Sequence, residues 1–148
     1  SETAEISIEV DPRVTTREQL AVLRELGFNR ISLGVQDFDS RVQAAIHRDQ
    51  TEAQTRTLHA WCRELGFGSI NMDFVYGLPY QHQQGFEQTL RTLLSLHPDR
   101  IALYNYAHVP WMVPWQKYIP EVSLPTAPQK LAFLKTAFRE SRSRISPS

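Results

Sequence analysis

Cysteine is almost missing from this 148-residue chain, in which Cys62 stands alone. One thiol excludes an internal disulfide and any multi-cysteine metal site built by this chain itself. An excess of charge is missing too. Lysine and arginine total 16, and aspartate and glutamate also total 16, so no whole-chain field favours nucleic acid. No apolar run approaches the roughly 18 residues that cross a bilayer. The first residues, SETAEISIEV, lack the basic stretch and apolar core of a secretory signal. Neither G-x-G-x-x-G nor a Walker A pattern follows any strand candidate, which weakens a dinucleotide or P-loop reading. The five histidines fall at no metal-ligand spacing. The remaining composition, 41% hydrophobic and 22% charged, is ordinary for one domain with a core. A cytoplasmic setting, with no membrane or nucleic-acid partner, is expected.

One unit repeats. The tetrapeptide ELGF occupies residues 25–28 and again 64–67, each time after an apolar helical stripe and before a β-type run. Gly27 and Gly66 stand where a helix would end on a left-handed residue, which glycine adopts at little cost. Strands are expected at residues 5–10, 30–35, 69–76 and 100–106. Helices are expected between them. Thr15 with Glu18 reads as a capping box before Leu20 and Leu23, and Thr51 with Gln54 as another before Leu58, Trp61, Cys62 and Leu65. Phe86, Leu90, Leu93 and Leu94 mark a third helix, stopped by His97-Pro98. Thr126 with Gln129 opens the last, with Leu131, Leu134 and Phe138 on its apolar face. A short helix is expected over residues 39–47. Residues 109–125 carry four prolines and three aromatics, the mark of a long, semi-rigid excursion. The Ser/Arg-rich tail, residues 139–148, is expected to fray. Strands alternating with helices imply parallel strands with right-handed crossovers, in either an open doubly wound sheet or part of a (β/α) barrel.

In such folds chemistry gathers at the C-terminal ends of the strands. Polar residues fall there: Glu9 and Asp11, Gln36 and Asp37, Asp73 and Tyr76, then Asn105, Tyr106 and His108. A carboxylate on a buried strand needs partners. For Glu9 and Asp73 these are ribose hydroxyls, an ammonium group, or amides and basic residues of the same protein. Arg48 suits a ligand carboxylate through paired hydrogen bonds, or is a solvated surface arginine. Cys62 and His59 read as structural.

Several segments together carry a resemblance: IEVDP (residues 8–12), RISLGVQDFD (30–39), HRDQ (47–50), NMDFVYGLPYQ (71–81) and LYNYAH (103–108). From about Glu5 to Ala137 the chain resembles the oxygen-independent coproporphyrinogen III oxidases of the radical S-adenosylmethionine (SAM) superfamily. Haem chaperones of that superfamily are similar but read GVQSF where this chain has Asp37, and the run at residues 105–108 also favours the oxidase. A haem-binding module of the chaperone type is the alternative, and a small (β/α) domain for another nucleoside is a third.

The resemblance implies an α/β fold in which residues 1–138 form about four βα units of a partial parallel barrel. It implies two SAM molecules, with Glu9 at the one seated on a [4Fe–4S] cluster. Gln36, Arg48, Asp73 and Ala107 would line the second site, Ala107 through its backbone. It assigns no catalytic residue or metal ligand to this chain, since the three-cysteine cluster motif belongs to a region before these segments. The chain would then be an internal fragment, inactive by itself. The implied reaction is a SAM-radical oxidative decarboxylation of two propionates of coproporphyrinogen III to vinyls, giving protoporphyrinogen IX in haem biosynthesis. An electron donor is the implied further partner.

Overall fold

The computed structural model describes residues 5–142. Strands β1 (Ser7–Val10), β2 (Arg30–Gln36), β3 (Ser69–Tyr76) and β4 (Arg100–Asn105) alternate with α1 (Arg17–Glu25), α2 (Ser40–Ala45), α3 (Glu52–Glu64) and α4 (Gln83–Ser95). Two 3₁₀ turns, Pro114–Tyr118 and Glu121–Ser123, lead from β4 to α5 (Ala127–Arg142). All neighbouring strands are parallel, and their order in the sheet is their order in the chain. A doubly wound sheet reverses direction at a switch point. This sheet does not, as a barrel segment requires.

The period of two in β2 and β3 sorts the sheet into unlike faces. Ile31, Leu33 and Val35, with Ile70, Met72 and Phe74, are fully buried beneath the helices. The opposite face carries Glu9, Gly34, Gln36 and Asp73. Helical stripes complete the core: Leu20 from α1, Leu58 and Cys62 from α3, and Phe86, Leu90, Leu93 and Leu94 from α4. Phe86 stacks between Phe74 and Phe133 at 4.8 Å on each side, which ties β3, α4 and α5 together. Burying each such side chain is worth about 1.5–3 kcal/mol. Gly27 and Gly66 take φ of +100° and +85° at the ends of α1 and α3, as the repeat predicts.

Three local expectations change. The capping box of α1 is Thr16 with Gln19, one residue later than expected, because the Thr15 hydroxyl donates to the Asp11 carbonyl at 2.8 Å and closes the preceding turn. On α5 the stripe Leu131, Leu134 and Phe138 is exposed. The neighbouring stripe, Phe133, Thr136 and Ala137, packs inward, because Phe133 completes the aromatic stack. The helix also continues through Arg142, so the first four residues of the tail expected to fray are ordered; the rest lie outside the described residues.

Candidate functional site

The strand-end acids divide by what they touch. Asp37 is fully buried. Its Oδ1 accepts from the Asp39 amide at 2.7 Å and the Thr89 hydroxyl at 3.1 Å, and its Oδ2 accepts from the Gln81 amide at 2.8 Å. Burial raises its proton affinity and these bonds oppose the rise. Asp37 therefore ties the end of β2 to the turn after β3. Asp11 accepts from the amide and guanidinium of Arg13, whose hydrogen bonds hold its carboxyl below the usual range.

Glu9 and Asp73 differ. They share the face of the sheet that the helices leave uncovered. Neither carboxylate has a hydrogen-bond or ion-pair partner among the described residues. Asp73 is half-buried, and its proton affinity is raised first by that burial and then by the charge of Glu9. Gly34 lies between them in the sheet, paired with Asp73. A Cβ on Gly34 would stand 3.3 Å from Arg48 Nη2 and 3.9 Å from Glu9 Oε1. Glycine thus lets the guanidinium lie flat against the strand.

Arg48 is not a solvated surface arginine, as one reading of the sequence had it. Its side chain is only 13% exposed. Nη2 donates to the Gly34 carbonyl at 2.6 Å, Nε donates to Gln50 Oε1 at 2.9 Å, and Nη2 stands 3.7 Å from Asp11. Burial lowers its proton affinity, and Asp11 counters the effect. The HRDQ turn makes this geometry. Gln50 is itself buried, donating to Thr55 and clasped by Gln43. No periodicity signals such a network, since it depends on a short helix folding back across β2.

Gln36 sits at φ +67°, where a bulge breaks the pairing of β2 with β3. It shares with Arg48 a cleft of about 280 Å³, floored by Ile46, Val75 and Leu78 and rimmed by Arg13, His47, Tyr106 and Trp115. Glu9, Asp73 and Ala107 do not line this cleft. Ala107 is exposed just beyond β4, and its carbonyl already accepts from Gln116 at 3.1 Å. Buried Gln116 also accepts from the Val109 amide at 2.6 Å, which fixes the proline-rich excursion against the rim. Arg13 was not singled out from the sequence. The aromatic run of the excursion held the only signal for Trp115, and the turn after Asp11 the only one for Arg13. Larger hollows of about 500 and 370 Å³ lie among the outer helices, away from Glu9, Gln36, Arg48 and Asp73.

Cys62 is buried in the core, and its thiol is pushed up to about 12 by that burial. His59 lies half-buried on α3 with Nε2 unpartnered, and burial lowers its proton affinity. No group of three or more metal-ligating side chains forms among the described residues. No helix among them is long and apolar enough to cross a membrane.

A parallel sheet in chain order, covered by helices on one face and carrying unpaired acids and an arginine at its strand ends, defines a (β/α)-barrel segment. The family description "Radical SAM superfamily" matches residues 1–93, and the chain belongs to that superfamily. Within it, the chain is 46% identical over 140 residues to an oxygen-independent coproporphyrinogen III oxidase of Synechocystis, covering 95% of this chain and 30% of that protein. It is 48% identical over 132 residues to the protein of that name from Thermostichus vulcanus, covering 89% of this chain and 41% of the relative. Coproporphyrinogen III oxidase (HemN) from Escherichia coli, a radical SAM enzyme, superposes with a TM-score of 0.92 at 42% identity, covering 97% of this chain and 33% of that one. The archaeal Elp3 of Methanocaldococcus infernus shares the fold, with a TM-score of 0.80 at 14% identity. The chain therefore spans well under half the length of the curated relatives it matches. Membership of the superfamily implies SAM and a [4Fe–4S] cluster as cofactors.

Proposed function

We propose that this chain corresponds to a portion of an oxygen-independent coproporphyrinogen III oxidase and supplies part of its SAM-binding surface. The observation that carries the reading is the 0.92 TM-score at 42% identity, maintained over 97% of the chain, to an enzyme of that name. The strand ends suit the cofactor. Glu9 and Asp73 are acceptors without protein donors, matched to ribose hydroxyls or an ammonium group. Arg48 keeps N–H groups at the cleft edge for a carboxylate.

SAM, when bound, supplies the 5′-deoxyadenosyl group whose radical form abstracts hydrogen from a propionate side chain. Glu9 would accept from one SAM, and Asp73, Gln36 and Arg48 would meet the hydroxyls, ammonium or carboxylate of the second, with Ala107 presenting its backbone. In the whole enzyme each of two propionates of coproporphyrinogen III, once it has given up that hydrogen, would release CO₂ and pass one electron to a one-electron acceptor to become a vinyl, giving protoporphyrinogen IX. Two SAM molecules, an external electron donor and a cytoplasmic setting belong to this reading. The cluster does not fit this chain's residues, because thiolate ligands come in sets and Cys62 is single and buried in the core.

A chimera tests the proposal. Residues 5–142 replace the matching third of the E. coli oxidase, and anaerobic conversion of coproporphyrinogen III is followed. Retained protoporphyrinogen IX formation is expected. A folded chimera that carries cluster and SAM but leaves the substrate untouched would refute the assignment.

A further inference from the structure

Gly77 closes β3 at φ +87°. Its amide donates to Gln81 Oε1 at 2.7 Å, and Gln81 in turn donates to Asp37 at 2.8 Å and to the Val75 carbonyl at 3.0 Å. The turn is therefore held by a buried network and cannot drift. Across it lies the side chain of Lys130, from the second turn of α5. A Cβ on Gly77 would come within 2.9 Å of Lys130 Cε and 3.6 Å of Nζ, with Asn105 Oδ1 at 3.3 Å on the other side. Glycine is required here for the left-handed backbone, and the space it leaves is occupied by the end of the lysine stem.

The residue so placed is intermediate in exposure. It has no hydrogen bond, ion pair or aromatic face among the described residues. Other cations of the same rim are provided for: Arg13 and Arg48 lie on Asp11, Arg41 lies 4.2 Å over the Tyr80 ring, and Lys117 lies 5.1 Å over Tyr118. An ammonium at the strand ends without a counter-charge is left free to meet an anion.

We propose that Lys130, seated over Gly77 beside Asn105 at the C-terminal ends of β3 and β4, binds a carboxylate of the ligand. The assignment rests on the function proposed above. An ammonium on a flexible stem suits a single-point anion. Two carboxylates are available to it, the α-carboxylate of SAM and a propionate of the tetrapyrrole.

The test uses this chain, its Lys130→Met and Lys130→Arg variants, and quenching of tryptophan fluorescence. SAM is compared with decarboxylated SAM, and coproporphyrin III, the air-stable form of the tetrapyrrole, with its tetramethyl ester. Lys130→Met should lose about tenfold to a hundredfold in affinity for one of the two acids, the worth of one charge-assisted contact. It should bind the matching carboxylate-free analogue like the parent, and Lys130→Arg should retain most of the affinity. The acid affected names the source of the carboxylate. The melting temperature of Lys130→Met should lie close to the parent's, since the ammonium makes no hydrogen bond or ion pair that the substitution removes. Equal binding of both acids by parent and variant overturns the proposal, as does equal loss of acid and analogue. A parent chain that binds neither acid overturns this inference together with the SAM site beneath it. Should Lys130→Met not fold, Lys130→Gln is judged by the same outcomes.

Discussion

Substituting Asp73 by asparagine keeps its shape and removes its charge, and the result should be a more stable protein that binds its ligand less well. The carboxyl is held above its ordinary range by burial and then by Glu9. A group whose proton affinity is raised on folding binds more protons in the folded state, so stability falls as pH rises through the window between the unfolded and folded values. Above that window the folded protein carries the cost in full. Asparagine does not titrate. Parent and variant should therefore converge at a pH low enough to protonate Asp73 in both states, and separate above it, with the variant ahead at pH 7. Desolvating an unpaired polar group costs about 1–3 kcal/mol when burial is complete. Half exposure brings this to on the order of 1 kcal/mol, or about 2–4 °C in melting temperature for a domain of this size. Circular-dichroism melts at several pH values read the difference, and titration with SAM should show about a tenfold loss of affinity. An Asp73→Asn protein that melts below the parent at pH 7 would mean that the scaffold holds the carboxylate. A difference that does not change with pH would mean that charge is not its cause.

Asp37→Ala should do the reverse, costing at least about 3 kcal/mol in urea unfolding, because it strands the Asp39 amide, the Thr89 hydroxyl and the Gln81 amide in the interior. Arg48→Ala should lose both ligand affinity and about 1–3 kcal/mol of stability, since the guanidinium also holds Gly34, Gln50 and Asp11; a variant that melts like the parent would show these contacts to be idle. Cys62 should resist a thiol reagent at pH 8 in the native protein and react fully in denaturant, because burial both shields the thiol and pushes it up to about 12. Rapid labelling without unfolding would contradict the packing of α3.

The sequence was most readable where a single element decides its own fate. Leu58, Trp61, Cys62 and Leu65 recur at helical spacing, and all four pack on the core. Gly27 and Gly66 are forced by backbone geometry alone. The readings that failed depend on a second element. Thr15 and Thr16 are equally good caps until Asp11 claims the Thr15 hydroxyl. Leu131, Leu134 and Phe138 form a regular stripe, but the aromatic stack with Phe74 and Phe86 selects the adjacent one through Phe133. In the candidate site, strand-end polarity marked polar residues without telling which of them the scaffold holds. Asp37 and Asp73 look alike in sequence. Only the fold shows that three donors converge on one and none on the other. Arg48 was legible as a cation, but its burial follows from a buried Gln43–Gln50 clasp and from a glycine on a different strand.

That contrast separates scaffold from site more sharply than position does. A carboxylate at a strand end has a desolvation cost whatever its purpose. Where the protein supplies donors, as for Asp11 and Asp37, the cost is met during folding and the group becomes a brace. Where it supplies none, as for half-buried Asp73, the cost stays open, while its neighbour Glu9 is exposed. The braces hold the open acids in place. Asp11 anchors Arg48 beside Gly34, and Asp37 with Gln81 locks the turn that follows β3. Preorganised charge of this kind binds more strongly than the same groups on a mobile surface, because no reorganisation is needed when the ligand arrives. The stability that Asp73→Asn recovers at neutral pH is therefore a measure of the strain that the folded chain holds ready for binding.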